Sequence, residues 1–278
     1  MSKTKLCITL VFVVCLLCAF CCCTASAEMT DGGNSYTEAP VYMDGLLSCR
    51  GYEIGGETYV SLESVAGIIG YTTSAEFDLE TNTLTFMVED ISITVTRGDN
   101  YITANGRCIY LPKGYESIEG VAVFPIEAVA KIFKLSAVLD PDSGSYDLNT
   151  VNKAILESAE EFYDEEELMW MGRIITAEAG NQCLEGQIAV GNVVLNRAES
   201  PRFADTVKGV IFQAGQFEPV ERGAIYIEPF EQSVIAAKLA LEGYNVVGDA
   251  LYFQQSAYGE MAHYGSFIKQ IGVHYFFA

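Results

Sequence analysis

Two hydrophobic periods alternate along the first half of the chain. "ETYVSLESVAGIIGY" (57–71) sets Leu62, Val65, Ala66 and Ile69 at the spacing of one helix face. "NTLTFMVEDISITVTRG" (82–98) then changes to period two, with Leu84, Phe86 and Val88 followed by Ile91, Ile93 and Val95. That alternation predicts a strand pair. The same order returns further on. "LESVAGIIG" (62–70) aligns with "IEAVAKIFK" (126–134), "FDLETNTLTF" (77–86) has its counterpart in "LDPDSGSYDL" (139–148), and "MDGLLSC" and "ANGRCIY" precede the two helices in the same way. An internal duplication of a small α+β unit is the simplest account. Neither copy can bury its apolar face alone, so the two are expected to make one domain over residues 41–150. The polar stretch 28–40, "EMTDGGNSYTEAP", reads as a flexible leader.

After residue 150 the period becomes helical. Residues 151–167 carry seven acids between Glu157 and Glu167 and are expected to form a solvated linker helix. "LMWMGRIITAEAG" places Leu168, Met171, Ile174 and Ile175 on one helix face, with Gly180-Asn181 as the stop. "CLEGQIAVGNVVLNR" predicts a second helix carrying Ile188, Val190, Val193, Val194 and Leu195. Gly186 and Gly191 thin it for a close approach to the first helix. The fold class is α+β: a duplicated N-terminal domain, then a mainly helical domain over 168–278.

Composition narrows the function. With 16 Lys and Arg against 37 Asp and Glu, the formal charge is −21. Nucleic acid and anionic membrane are therefore not partners by bulk electrostatics. The N-terminus has Lys3 and Lys5, an apolar run of 18 residues (6–23), and Ala25-Ser26-Ala27. This is the layout of a secretory signal over 1–27, with the mature chain starting at Glu28. The apolar run is also long enough to read as a membrane anchor, so secretion and anchoring both stay open. Six of the nine cysteines fall in that run. Of the rest, Cys49 and Cys108 are a candidate bridge, and Cys183 stands apart.

The candidate chemistry lies between Ile175 and Tyr258. Glu178 closes an apolar helix, where desolvation and the negative end of the dipole both favour its neutral form. A carboxyl kept protonated near neutral pH is what a general acid requires. Pairing with Arg173 or Arg197 is the plain structural alternative. Glu185 opens the next helix, where the dipole favours the ionised form. Asn192 and Asn196 share a face and suit either amide or sugar binding or an internal hydrogen bond. Gln216, Phe217 and Glu218 project from a loop after Gly215. "GDALYFQQSAYGEMAHYGSF" (248–267) supplies Tyr252, Gln254 and Tyr258, whose aromatic faces and amide suit sugar rings. Cys183 with His263 or His274 is a second, peptidase-like arrangement. Neither GxSxG nor HExxH occurs, and no cofactor is expected.

Two resemblances follow from these residues. Val60-Ser61-Leu62, Phe77-Asp78, Asn105-Gly106 and Phe124-Pro125-Ile126 resemble the copper amine oxidase N-terminal-like domain, a duplicated module of secreted proteins. Residues 28–150 hold no histidine, so imidazole ligation of copper is not expected there. Ala177-Glu178-Ala179, Glu185-Gly186-Gln187, the run Val190 to Arg197, Gln216 to Val220, Ala250 to Phe253 and Ile271 to His274 resemble the cell wall hydrolase family of SleB type, the spore cortex-lytic enzymes. That resemblance implies a lysozyme-like, transglycosylase-like fold and cleavage of peptidoglycan glycan strands, in spore cortex during germination or in the vegetative wall. It also implies that Glu178 is the catalytic acid. Glu185, Gln216, Phe217, Glu218, Tyr252, Gln254 and Tyr258 are the candidate substrate contacts. A wall-binding protein without activity is the non-enzymatic alternative.

Overall fold

The computed structural model describes residues 29–31, 34–255 and 265–278. The expected signal (1–27), the start at Glu28, Tyr258 and His263 lie outside the described residues. In chain order the first part forms β1 (Met29–Asp31), β2 (Asn34–Met43), β3 (Leu46–Ile54), β4 (Glu57–Val60), α1 (Leu62–Ile68), β5 (Thr73–Asp78), β6 (Thr83–Val88), β7 (Ile91–Thr96), β8 (Tyr101–Ala104), β9 (Arg107–Tyr110), β10 (Glu116–Ile118), β11 (Val121–Pro125), α2 (Ile126–Ile132), β12 (Ser136–Leu139) and β13 (Tyr146–Asn149). The second part forms α3 (Ala159–Phe162), α4 (Glu165–Ala179), α5 (Leu184–Glu199), α6 (Val207–Phe212), α7 (Glu218–Glu221), a 3-10 turn (Ala224–Tyr226), α8 (Glu231–Leu241), β14 (Tyr252–Gln254), β15 (Phe267–Ile271) and β16 (His274–Phe277). The described residues divide into two compact units. One holds residues up to Asn105 with Leu111–Glu157, the other Gly106–Tyr110 with Ser158–Ala278.

In the first unit the duplication is visible as interlocked copies. One sheet runs β10-β11-β4-β3-β2-β13-β12, with β1 on β2, while β5 to β8 form an antiparallel meander. β4 of the first copy pairs with β11 of the second, and β13 runs parallel to β2, closing the end of one copy onto the start of the other. The helix faces read from the sequence are buried: Leu62, Val65 and Ala66 in α1, and Ile126, Ala128, Val129, Ala130 and Ile132 in α2. Asp44-Gly45 and Asn105-Gly106 occupy equivalent two-residue turns with all four φ angles positive, the backbone a tight hairpin demands.

Residues 34–40 correct the expected leader. They are the first seven residues of β2, which pairs with β3 from Thr37 onward. Tyr36, Val41 and Met43 are buried, and Tyr36 meets Tyr52 edge-on at 5.6 Å. These buried side chains, Tyr36 on one face and Val41 and Met43 on the other, fix the strand. The acidic linker is also not one helix. Residues 151–157 are irregular, and the acids serve two helix starts instead. Ser158 and Glu161 form a capping box on α3, and Asp164 accepts from Glu167 N to cap α4. Cys49 and Cys108 are not joined in a disulfide, so the candidate bridge is not formed.

The second unit is built on α4, α5 and α8. Gly191 lies where the three meet. A Cβ there would come within 3.0 Å of Ala240 Cβ and 3.2 Å of Ile175 Cδ1 and Met171 Cε. Below α5, Ala189 and Val193 pack with Val247, Ala250, Ile271 and Phe276, seating the sheet β14-β16-β15.

Candidate active site

Glu178 is the penultimate residue of α4, and Gly180 caps the helix. The last turn is held against the segment before α8: Thr176 Oγ1 accepts from Phe230 N at 3.0 Å. Glu178 itself is half-buried. Burial is the first cause that raises its carboxyl from 4.5 to about 7, and Glu218 adds a like charge. Arg197 opposes both.

Arg197 comes from the last turn of α5 and is 5% exposed. Its Nε donates to Leu251 O at 2.7 Å. The guanidinium carbon lies 5.1, 5.0 and 5.7 Å from the ring centres of Phe203, Phe217 and Tyr252. Burial lowers this arginine to about 10, against the raising influence of Tyr252 and Glu178. Its buried Nη1 makes no hydrogen bond.

Of the loop and strand candidates, Phe217 and Tyr252 meet Arg197. Phe217 is buried under Arg197. Glu218 opens α7, is exposed, and bridges Arg222, the residue that caps that helix. Gln216 lies in the turn before it, its N–H donating to Gln213 O at 3.2 Å. Tyr252, on β14, receives a hydrogen bond from Arg202 and lies near Phe203. Gln254 is two residues further along the same strand and half-buried.

Glu185 is placed elsewhere. It lies in the first turn of α5 and accepts from Lys269 Nζ on β15 at 2.7 Å. Its charge acts on Tyr110 and is not among those acting on Glu178. Asn192 and Asn196 take the structural alternative. Asn192 donates to Tyr244 O and accepts from Val246 N, while Asn196 donates to Gly248 O and Ala250 O. The Cys183–His274 arrangement is not assembled. Cys183 is exposed, whereas His274 is buried beside Phe253, and its Nδ1 makes no hydrogen bond. Sequence reasoning missed Phe203 and Arg202 as site residues, and it treated Arg197 only as a salt-bridge partner. The signal was faint: "PRF" follows a helix end and has no period of its own.

Comparison with known proteins gives two families. Residues 181–277 match the Cell Wall Hydrolase family, and residues 47–147 match the Copper amine oxidase N-terminal domain. The chain is similar to a spore cortex-lytic enzyme of Oceanobacillus iheyensis, 37% identical over 116 residues, which are 41% of this chain and 42% of that protein. The chain thus spans less than half the length of that relative. Two solved structures are similar at 34% identity and a TM-score of 0.39, each over 42% of this chain. They are the catalytic domain of the Bacillus cereus SleB protein, 92% covered, and that of the germination-specific lytic transglycosylase SleB from Bacillus anthracis, 97% covered.

Proposed function

We propose that the C-terminal part of the chain, whose residues 181–277 match the Cell Wall Hydrolase family, cleaves peptidoglycan glycan strands between N-acetylmuramic acid and N-acetylglucosamine as a lytic transglycosylase, with Glu178 as general acid. The observation that carries this reading is a carboxyl, half-buried at a helix end and raised to about 7. Protonated Glu178 gives its proton to the bridging oxygen as the bond to the muramic anomeric carbon breaks. The muramic C6 hydroxyl closes onto that carbon, and its proton returns to Glu178. No water is consumed, and proximity within one sugar replaces a second carboxylate. Secretion through residues 1–27 and action on wall or spore cortex belong to the same proposal.

One observation favours a second reading. Glu218 acts electrostatically on Glu178. Conventional glycosidases use two carboxyls, about 5–5.5 Å apart for retention or about 6.5–9.5 Å for inversion. Mass spectrometry of the released muropeptides separates the two. Transglycosylation leaves a 1,6-anhydro end lighter by one water, and hydrolysis leaves a reducing end. Reducing ends lost together with Glu218→Gln would establish the two-carboxylate mechanism.

A further inference from the structure

Arg197 is a buried cation to which, among the described residues, no carboxylate is bound. Among the described residues it forms no ion pair, although it lies at the centre of the site. Such a group is costly to desolvate and is ordinarily paired. Leu251 O fixes its Nε, and three aromatic rings enclose the guanidinium. That enclosure holds the charge still and shields it from salt. The charges facing the acid come from two elements: Arg197 on α5 and Glu218 on α7, the latter exposed and already engaged by Arg222. Facing Arg197 are Glu178 on α4 and Tyr252 on β14, and Arg202 bonds the Tyr252 hydroxyl.

We propose that Arg197 is a positioning residue that supplies the countercharge for Glu178, stabilising the carboxylate that Glu178 becomes once its proton has left. This deepens the catalytic reading above and rests on it. Glu178 must be an acid in the first half of the reaction and a base in the second. A fixed cation that does not pair with it leaves the neutral form populated and lowers the cost of the charged form as the proton transfers.

The test reads titration separately from activity. Carbon-13 NMR of the full chain follows the Glu178 carboxyl, with Glu178→Gln to assign the signal. The expected result is a midpoint roughly one unit or more higher in Arg197→Gln and Arg197→Met. The alkaline limb of the rate profile should move up with it, and the pH-independent rate should fall by less than about tenfold for each unit. Arg197→Lys keeps the charge and should stay near the wild-type midpoint. Should the neutral variants fail to fold, the wild-type chain provides the reading: the Arg197 side-chain nitrogen shifts should follow the Glu178 midpoint and lose that step in Glu178→Gln. An unmoved Glu178 midpoint in folded neutral variants, or no such step in the wild type, overturns the proposal. Full activity of Glu178→Gln would instead sink the catalytic reading while leaving the titration result standing.

Discussion

A carboxyl buried beside another carboxylate binds its proton more tightly than the same group in the unfolded chain. For Glu178 the rise from 4.5 to about 7 has a definite sign. Between those values the folded state holds a proton that the unfolded state has released, so stability falls as pH rises through that window. Glu178→Gln abolishes the penalty. The variant should match the wild type near pH 4 and be more stable at pH 8, by at most about 3 kcal/mol, in urea unfolding at the two pH values. Wall clearing should fall by about two to four orders of magnitude, the usual contribution of an acid–base group. A variant that clears walls normally would remove Glu178 from the mechanism. Glu218 gives a separate expectation. Because it raises the Glu178 carboxyl, Glu218→Gln should move the alkaline limb of the rate profile to lower pH. Glu218 is exposed, so its influence should shrink in high salt. A limb that moves equally at low and high salt would contradict that electrostatic account.

At the scale of elements, the tightest constraint is the junction of α4, α5 and α8. Gly191→Ala gains about 1 kcal/mol of helix propensity. Its new methyl meets Ala240, Ile175 and Met171 at 3.0 to 3.2 Å, however. Overpacking of this kind costs about 1–3 kcal/mol, so the variant should be slightly less stable, and Gly191→Leu much less. Ala240→Gly should partly rescue Gly191→Ala in thermal melts; additive effects would mean that the helices shift apart freely. This junction was legible in advance, because Gly191 stands inside an apolar helical period. So were the duplicated helices, whose buried positions recur with the same spacing, and the helix-end placement of Glu178. What stayed hidden was non-local. The strand over 34–43 depends on Tyr36 and Val41 finding partners in the sheet. The split of the acidic run into two helix starts depends on Ser158 and Asp164 as caps. The Arg197 cage gathers Phe203, Phe217 and Tyr252 from three separate segments. No periodicity links residues that distant.

For the whole molecule, the expected boundary near residue 150 and the compact units differ in one strand. Gly106–Tyr110 groups with Ser158–Ala278. A buried ion pair ties that strand to the end of α8. Arg107 Nε and Nη2 donate to the two carboxylate oxygens of Glu242, each at 2.7 Å, and the pair's side chains are 4% and 0% exposed. Tyr163 OH donates to the same carboxylate at 2.7 Å, and Phe162 stacks on the guanidinium at 3.3 Å. Lys238 Nζ reaches Gly106 O as well. A fragment of residues 151–278 keeps Glu242 and Tyr163 but loses Arg107. It leaves a buried carboxylate at the end of α8 without its bidentate partner, a deficit of about 3–5 kcal/mol. That is a large share of the stability of a domain this size. The fragment should therefore melt far below the full chain, and Arg107→Met in the full chain should reproduce much of the loss. Glu242→Gln should recover part of it in the fragment by removing the stranded charge. The proposed acid Glu178 is not among these groups, so the fragment should clear walls at temperatures where it remains folded. A fragment as stable as the full chain would show that the pair contributes nothing, and a stable fragment without activity would show that residues 41–150 take part in the reaction.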